Sequence, residues 1–174
     1  AVEIARILNK NRLGDEWEAI ANQIKDDVFT NGWNDDIQSF TQTYANKEMD
    51  SSLLLMEEYG FIDASDERYV KTVDAVYKAL NNNGLMYRYN SEDDFGKPTS
   101  AFTICTFWMI RALYVVGRKD EAQKIFETLI SYSNHLGLFS EDLDFETKRQ
   151  LGNFPQAYSH LALINTALLF ADNI

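Results

Sequence analysis

Glu141 stands out among the residues of this chain that could do chemistry. It sits in Gly137-Leu138-Phe139-Ser140-Glu141-Asp142-Leu143-Asp144, an acidic loop. A polar connection then leads to Leu151-Gly152-Asn153-Phe154-Pro155-Gln156-Ala157-Tyr158-Ser159-His160 and an almost uncharged helix. A carboxylate on such a loop can take a proton or hold a hydroxyl. Two earlier loops carry a similar assortment: Trp33, Phe40, Gln42 and Tyr44 in the first, and Tyr87, Arg88, Tyr89, Glu92, Asp93 and Asp94 in the second. Aromatic faces, carboxylates and an arginine together suit a sugar ring with its hydroxyls.

The same residues admit plainer roles. Glu141, Asp142, Asp144 and Glu146 also make the kind of acidic run found in a solvated loop, and the run lacks the glycine of a calcium loop. Arg88 could pair with Glu92 or another nearby carboxylate. Tyr87, Tyr89, Trp33 and Tyr44 serve equally well as loop anchors. Gln156 is a candidate substrate contact, yet Asn153-Phe154-Pro155-Gln156 also reads as a helix start with proline in its first turn. His160, among Tyr158, Leu161 and Ile164, reads as a core histidine bonded to a neighbour, and His135 as a residue near a helix end.

The elements that must position these residues follow from periodicity. Trp17, Ile20, Ala21, Ile24 and Val28 form a helical stripe that starts at Gly14-Asp15 and stops at Asn31-Gly32. Tyr69, Val70, Val73, Val76, Tyr77 and Leu80 form a second, begun at Ser65-Asp66-Glu67 and closed by Asn83-Gly84. Ala122, Ile125, Phe126, Leu129 and Ile130 form a third, opened by Asp120. After each comes a long loop and an apolar helix: Leu53–Met56 ending at Gly60, then 100–116 ending at Gly117, then 156–171. Gly32, Gly84 and Gly137 recur 52 and 53 residues apart, each before a large apolar residue. Three helical hairpins with striped outer and apolar inner helices are expected, with all three long loops at one end of the stack.

Composition sets the outer limits. The chain has 174 residues, 45% of them hydrophobic, only two prolines and eight glycines, so residues 1–174 read as one globular unit. Sixteen basic against 27 acidic residues, net −11, disfavours nucleic acid and an anionic membrane surface. The lone Cys105, on an apolar run, reads as a buried structural thiol and offers neither a disulfide nor a zinc cluster. No metal or cofactor is called for. The run 101–117 is interrupted by Thr103, Thr106 and Arg111 and falls short of a membrane span. No secretory leader is visible, which suggests a cytoplasmic location, although Ala1-Val2-Glu3-Ile4-Ala5-Arg6-Ile7-Leu8 opens mid-helix without a cap.

At its loops the sequence resembles family 15 of the glycoside hydrolases, the glucoamylase-like enzymes with glucodextranase and trehalase relatives. The resemblance rests on Gly84-Leu85-Met86-Tyr87-Arg88-Tyr89, on Ala101-Phe102 with Cys105-Thr106-Phe107-Trp108, on Gly137 to Glu141, and on Leu151 to His160. It implies an all-α fold, an (α/α)6 toroid of six outer and six inner helices, of which about half is present as stacked hairpins. The chain would then be the C-terminal portion of the catalytic domain. It also implies inverting hydrolysis of α-glucosidic bonds, with Glu141 as general base and Arg88 on the sugar. The family's general acid lies in a tryptophan-glutamate loop segment that these residues lack, since Trp17-Glu18 belongs to a striped helix. The chain alone is therefore expected to be inactive. Its uncovered inner helices should promote association, for instance as a homodimer. A helical-repeat module binding a protein or oligosaccharide without chemistry is the alternative.

Overall fold

The computed structural model describes residues 1–94 and 96–171. In chain order the helices are α1 (Val2–Ile7), α2 (Asn11–Asn31), α3 (Glu67–Leu80), α4 (Thr103–Val115), α5 (Lys119–Ile130) and α6 (Ala157–Ala171), with a 3-10 helix at Ser51–Met56. Seven two-residue strands decorate the loops: β1 (Trp33–Asn34), β2 (Ser39–Phe40), β3 (Asn81–Asn82), β4 (Leu85–Met86), β5 (Ala101–Phe102), β6 (Asp142–Leu143) and β7 (Gln150–Leu151). Two layers result, as the hairpin reading expects. The 3-10 helix, α4 and α6 lie inside, while α3 and α5 pack outside.

The sequence explains why α4 is central. It is apolar on every side, and its residues from Thr103 through Phe107, then Met109, Ile110, Ala112 and Leu113, are buried. Its single charge, Arg111, pairs with Glu57 at 2.9 Å and Glu58 at 3.3 Å beyond the 3-10 helix. Helix α3 begins where Asp66 accepts the Arg68 N–H at 2.9 Å, and it buries Tyr69, Thr72, Val73, Val76 and Leu80 at helical spacing. Phe107 anchors the core, its ring meeting those of Phe139 at 5.7 Å and Phe126 at 6.5 Å.

Several expected elements differ in detail. The first inner helix is a single 3-10 segment; Asp50 caps it by accepting the Ser52 N–H at 2.6 Å, and its chain turns away after Met56. Helix α2 starts at Asn11 and runs through Gly14, against which the Arg6 side chain packs. Its stripe is largely uncovered, with Ile20 52% and Ile24 58% exposed. Helix α3 ends at Leu80, because Asn83-Gly84 is not a helix stop but the turn of the β3–β4 hairpin. Both residues have positive φ, 54° and 84°, the conformation a tight two-residue hairpin turn requires. Helix α4 starts at Thr103 and not Ser100, since Ala101–Phe102 is given to β5. Pro155 precedes the first residue of α6 by two positions and so does not occupy the first helical turn. Helix α6 turns Ser159, Ala162 and Thr166 towards α4 and leaves Tyr158, Leu161, Ile164 and Leu168 outward.

The long loops do gather at one end, where they are stitched together. The Ser51 N–H donates to the Arg88 carbonyl at 2.8 Å, and the Thr103 N–H to the Glu141 carbonyl at 2.9 Å. Strand β6 pairs with β5 through Ala101↔Leu143 and Phe102↔Asp142, and with β7 through Asp142↔Leu151 and Leu143↔Gln150. This small sheet ties the start of α4 to the loops around Glu141.

Candidate active site

Glu141 is gripped from both sides of its backbone. Its N–H donates to the Asn153 carbonyl at 2.9 Å, and its carbonyl receives the N–H of Thr103, the first residue of α4. Ser140 just before it is buried and crosslinked: its N–H reaches Gln150 Oε1 at 2.6 Å, its carbonyl accepts the Ser159 hydroxyl at 2.8 Å, and its own hydroxyl donates to the Asp142 carbonyl. The Glu141 side chain, half-buried, places Oε2 where it accepts the Asn153 N–H at 3.2 Å and Asn153 Nδ2 at 2.9 Å. Gly152 permits this approach. Its φ of +73° suits glycine, and a Cβ there would stand 2.8 Å from Oε2.

Asp142 lies next door with a different environment. Burial pushes its carboxyl above the usual range, the Ser100 hydroxyl at 2.8 Å opposes this by donating to the charged form, and the Glu141 carboxylate adds to the upward shift. Glu141 is half-buried and turned to Asn153, while Asp142 is held by the Ser100 hydroxyl.

Arg88 pairs with Asp50 and not with Glu92. Its Nε donates to both Asp50 oxygens at 2.8 and 3.0 Å, and the guanidinium lies 5.7 Å from the centre of the Trp108 ring. Its two terminal nitrogens make no hydrogen bond among the described residues. Cys105, buried in the first turn of α4, shows how these groups converge. Burial drives its thiol up strongly, with the charges of Arg88, Asp50 and Asp142 and the Ser51 hydroxyl all acting on it. The start of α4 is thus shared by the Arg88–Asp50 pair and the Glu141–Asp142 loop.

The remaining candidates fall into two groups. Tyr87 stacks obliquely on Phe145 at 4.3 Å and borders a cleft of about 480 Å³ with Lys97, Thr99, Asp144 and Glu146, so it is at once a loop anchor and a wall. Gln156 is half-buried beside Glu141's loop, its N–H donating to the Phe139 carbonyl at 3.0 Å, and no hydrogen bond engages its side chain among the described residues. Trp33 and Tyr44 are anchors of the first loop instead. The Trp33 ring meets Phe40 at 5.3 Å, and the Tyr44 hydroxyl bonds Asp27 on α2 at 2.7 Å. The Tyr89 hydroxyl is taken by Asp93. His160 is structural: Nε2 accepts the Phe139 N–H at 3.3 Å, so Nδ1 carries the proton and donates to the Gln156 carbonyl at 2.8 Å. Asp144 is occupied by its own loop, accepting from Glu146, Thr147 and the Thr147 hydroxyl.

Sequence reasoning passed over Asp50, Ser100, Gly152 and Asn153 as parts of the site. Nothing local marks Asp50 as a site residue, because its partner Arg88 lies 38 positions away. Gly152-Asn153 carried a usable signal, a turn dipeptide directly before a helix start and after an acidic loop.

The sequence matches the profile "Glycosyl hydrolases family 15" over residues 1–168. The chain belongs to this family of glycosyl hydrolases. It is 36% identical over 168 residues to a protein named trehalase from Thermoplasma volcanium, covering 96% of this chain and 27% of that protein. The trehalase of Thermoplasma acidophilum is 39% identical over 96% of this chain and 29% of its own length. For the trehalase of Mycolicibacterium smegmatis the figures are 38%, 95% and 25%. The chain therefore spans little more than a quarter of these relatives. A solved glycosidase in complex with glucose matches at a TM-score of 0.76 and 16% identity, over 92% of this chain and 45% of that one. The fold is that of the family 15 glycosidases, an all-α toroid of which this chain forms stacked hairpins. Glu18 of Trp17-Glu18 sits on α2 and pairs with Arg6 at 3.0 Å, away from the loop end. No helix among the described residues is long and apolar enough to cross a membrane.

Proposed function

We propose that the protein to which this chain contributes the C-terminal portion of an (α/α)6 catalytic domain hydrolyses α-glucosidic bonds with inversion, in the glucoamylase manner. The observation that carries the proposal is the held carboxylate of Glu141 at the loop end of a family 15 fold, with one oxygen fixed and the other open. Glu141 is the general base. It takes a proton from the water that attacks the anomeric carbon, while the glycosidic oxygen leaves with a proton from a general acid. An inverting pair stands roughly 6.5–9.5 Å apart, room for that water. The general acid is supplied by the N-terminal part of the same domain. Arg88, fixed through Nε by Asp50, has its two terminal nitrogens free to hold sugar hydroxyls, and Tyr87 and Gln156 line the same end. α,α-Trehalose is the first substrate to try, because relatives 36–39% identical carry the name trehalase.

Two further parts of the proposal concern the chain by itself. Without a proton donor it is inactive. The outward residues Leu161 and Leu168 on α6 and Ile20 and Ile24 on α2, each more than half exposed, are faces the rest of the domain covers, and alone they drive association, a homodimer being the simplest form.

The test is Glu141→Gln in the full-length protein. Hydrolysis of trehalose and maltose should fall about 10²–10⁴-fold, the range of a lost general base, with substrate binding largely kept. With α,α-trehalose, proton magnetic resonance of the unmutated enzyme should show α- and β-glucose appearing together in equal amounts, because the attacked carbon inverts to β while the departing glucose keeps its α configuration. Retained activity in the variant, or α-glucose alone at first, would refute the assignment.

A further inference from the structure

We infer that Asn153 is the positioning residue of Glu141, an inference that rests on Glu141 being the base. A carboxylate can rotate about its last bond, and only some orientations present a lone pair to the attacking water. Here Oε2 accepts two hydrogen bonds, both from Asn153: the backbone N–H at 3.2 Å and Nδ2 at 2.9 Å. Oε1 accepts none among the described residues. The two oxygens thus have separate tasks: Oε2 is the anchored one, and Oε1 is left to take the proton of water.

The same residue also fixes the backbone beneath, since the Asn153 carbonyl accepts the Glu141 N–H at 2.9 Å. Gly152, turned to φ +73°, aims the Asn153 N–H at the carboxylate and leaves no Cβ in its way. Asn153 itself is exposed, so packing does not account for where its side chain lies. The bond to Oε2 does. Donors aimed at a catalytic carboxylate restrict its orientation before substrate arrives, and such prior restriction is worth rate because it need not be achieved during the reaction.

Shape and donation are separable by two substitutions in the full-length enzyme. Asn153→Ala removes the donor, whereas Asn153→Asp keeps the outline but replaces the donor with an acceptor of like charge. With α-glucosyl fluoride, whose leaving group needs little protonation, the rate reports the base side of the reaction. The expected order of kcat is wild type, then N153A, then N153D, with N153A lower by about 10- to 100-fold and KM nearly unchanged. In the Glu141→Gln background N153A should add less than about a twofold further loss, because residues acting as a unit are not additive.

N153D as active as wild type would overturn the inference, since only shape would then matter. So would an equal loss in both backgrounds, or a loss confined to KM, which would make Asn153 a substrate contact. Full activity in Glu141→Gln alone has a different meaning: it removes the base assignment itself and this inference with it.

Discussion

Replacing Gly152 by alanine perturbs two things at once, and a second glycine separates them. At φ +73° an alanine pays the left-handed cost of about 1–2 kcal/mol. Its Cβ would also stand 2.8 Å from Glu141 Oε2 and 3.2 Å from Glu141 Cβ. Ordinary heavy-atom separations are about 3.5 Å, so the carboxylate must move by roughly 0.5–1 Å or the loop must give. A misplacement of that size at a reacting group can cost about 10²-fold in rate. Gly117 has φ +91° with nothing within 4 Å of a built Cβ, and it follows the far end of α4, about 20 Å from Thr103 at the helical rise. Gly117→Ala therefore carries the backbone cost alone. In the full-length enzyme both variants should lose melting temperature, on the order of a few degrees, with Gly152→Ala losing at least as much as Gly117→Ala because of its added contact with Glu141. Only Gly152→Ala should lose kcat on trehalose or maltose, by about 10²-fold. If Gly152→Ala stays within threefold of wild type, or if Gly117→Ala loses as much, close packing of Gly152 on Glu141 has no bearing on catalysis.

The layers, the loop end and the placing of Glu141 could be read from the sequence because each depends on local pattern. Val73, Val76 and Leu80 recur at helical spacing and are buried; the apolar run from Thr103 is buried on nearly every side. What escaped was decided across long separations or by single backbone torsions. Gly32, Gly84 and Gly137 recur evenly, yet Gly32 ends α2 with a right-handed φ of −85°, while Gly84 turns a hairpin at +84° and Gly137 a loop at +75°. Asn83-Gly84 before Leu85 is itself a strong hairpin signal, and the helical period overshadowed it. The stripe of α2 shows the converse. Its period is right and its helix forms, but Ile20 and Ile24 have no described residue to bury them, because periodicity says which face is apolar and not what covers it. Arg88 illustrates the limit for the site: an arginine among nearby acids offers many partners in sequence, and only the fold selects Asp50.

Two further outcomes are expected. The 174-residue chain by itself should show no measurable turnover of trehalose or maltose and should sediment as associated species at micromolar concentration; turnover near that of a complete enzyme, or a clean monomer at high concentration, contradicts the reasoning. The Asp142→Asn variant tests the buried carboxyl. Burial raises the folded-state pKa of Asp142 above its unfolded value, so the stability linked to its protonated form is fully present below the unfolded pKa and is lost as pH rises through the folded one. At neutral pH the ionised side chain therefore opposes folding in part, while asparagine keeps the outline and can still accept from the Ser100 hydroxyl. Asp142→Asn should melt above the wild type near pH 7, and the difference should vanish by about pH 3, where the wild-type carboxyl is itself neutral. A loss of stability near pH 7 that disappears by about pH 3 would mean that the charged form is favoured at this position, and that Ser100 outweighs burial.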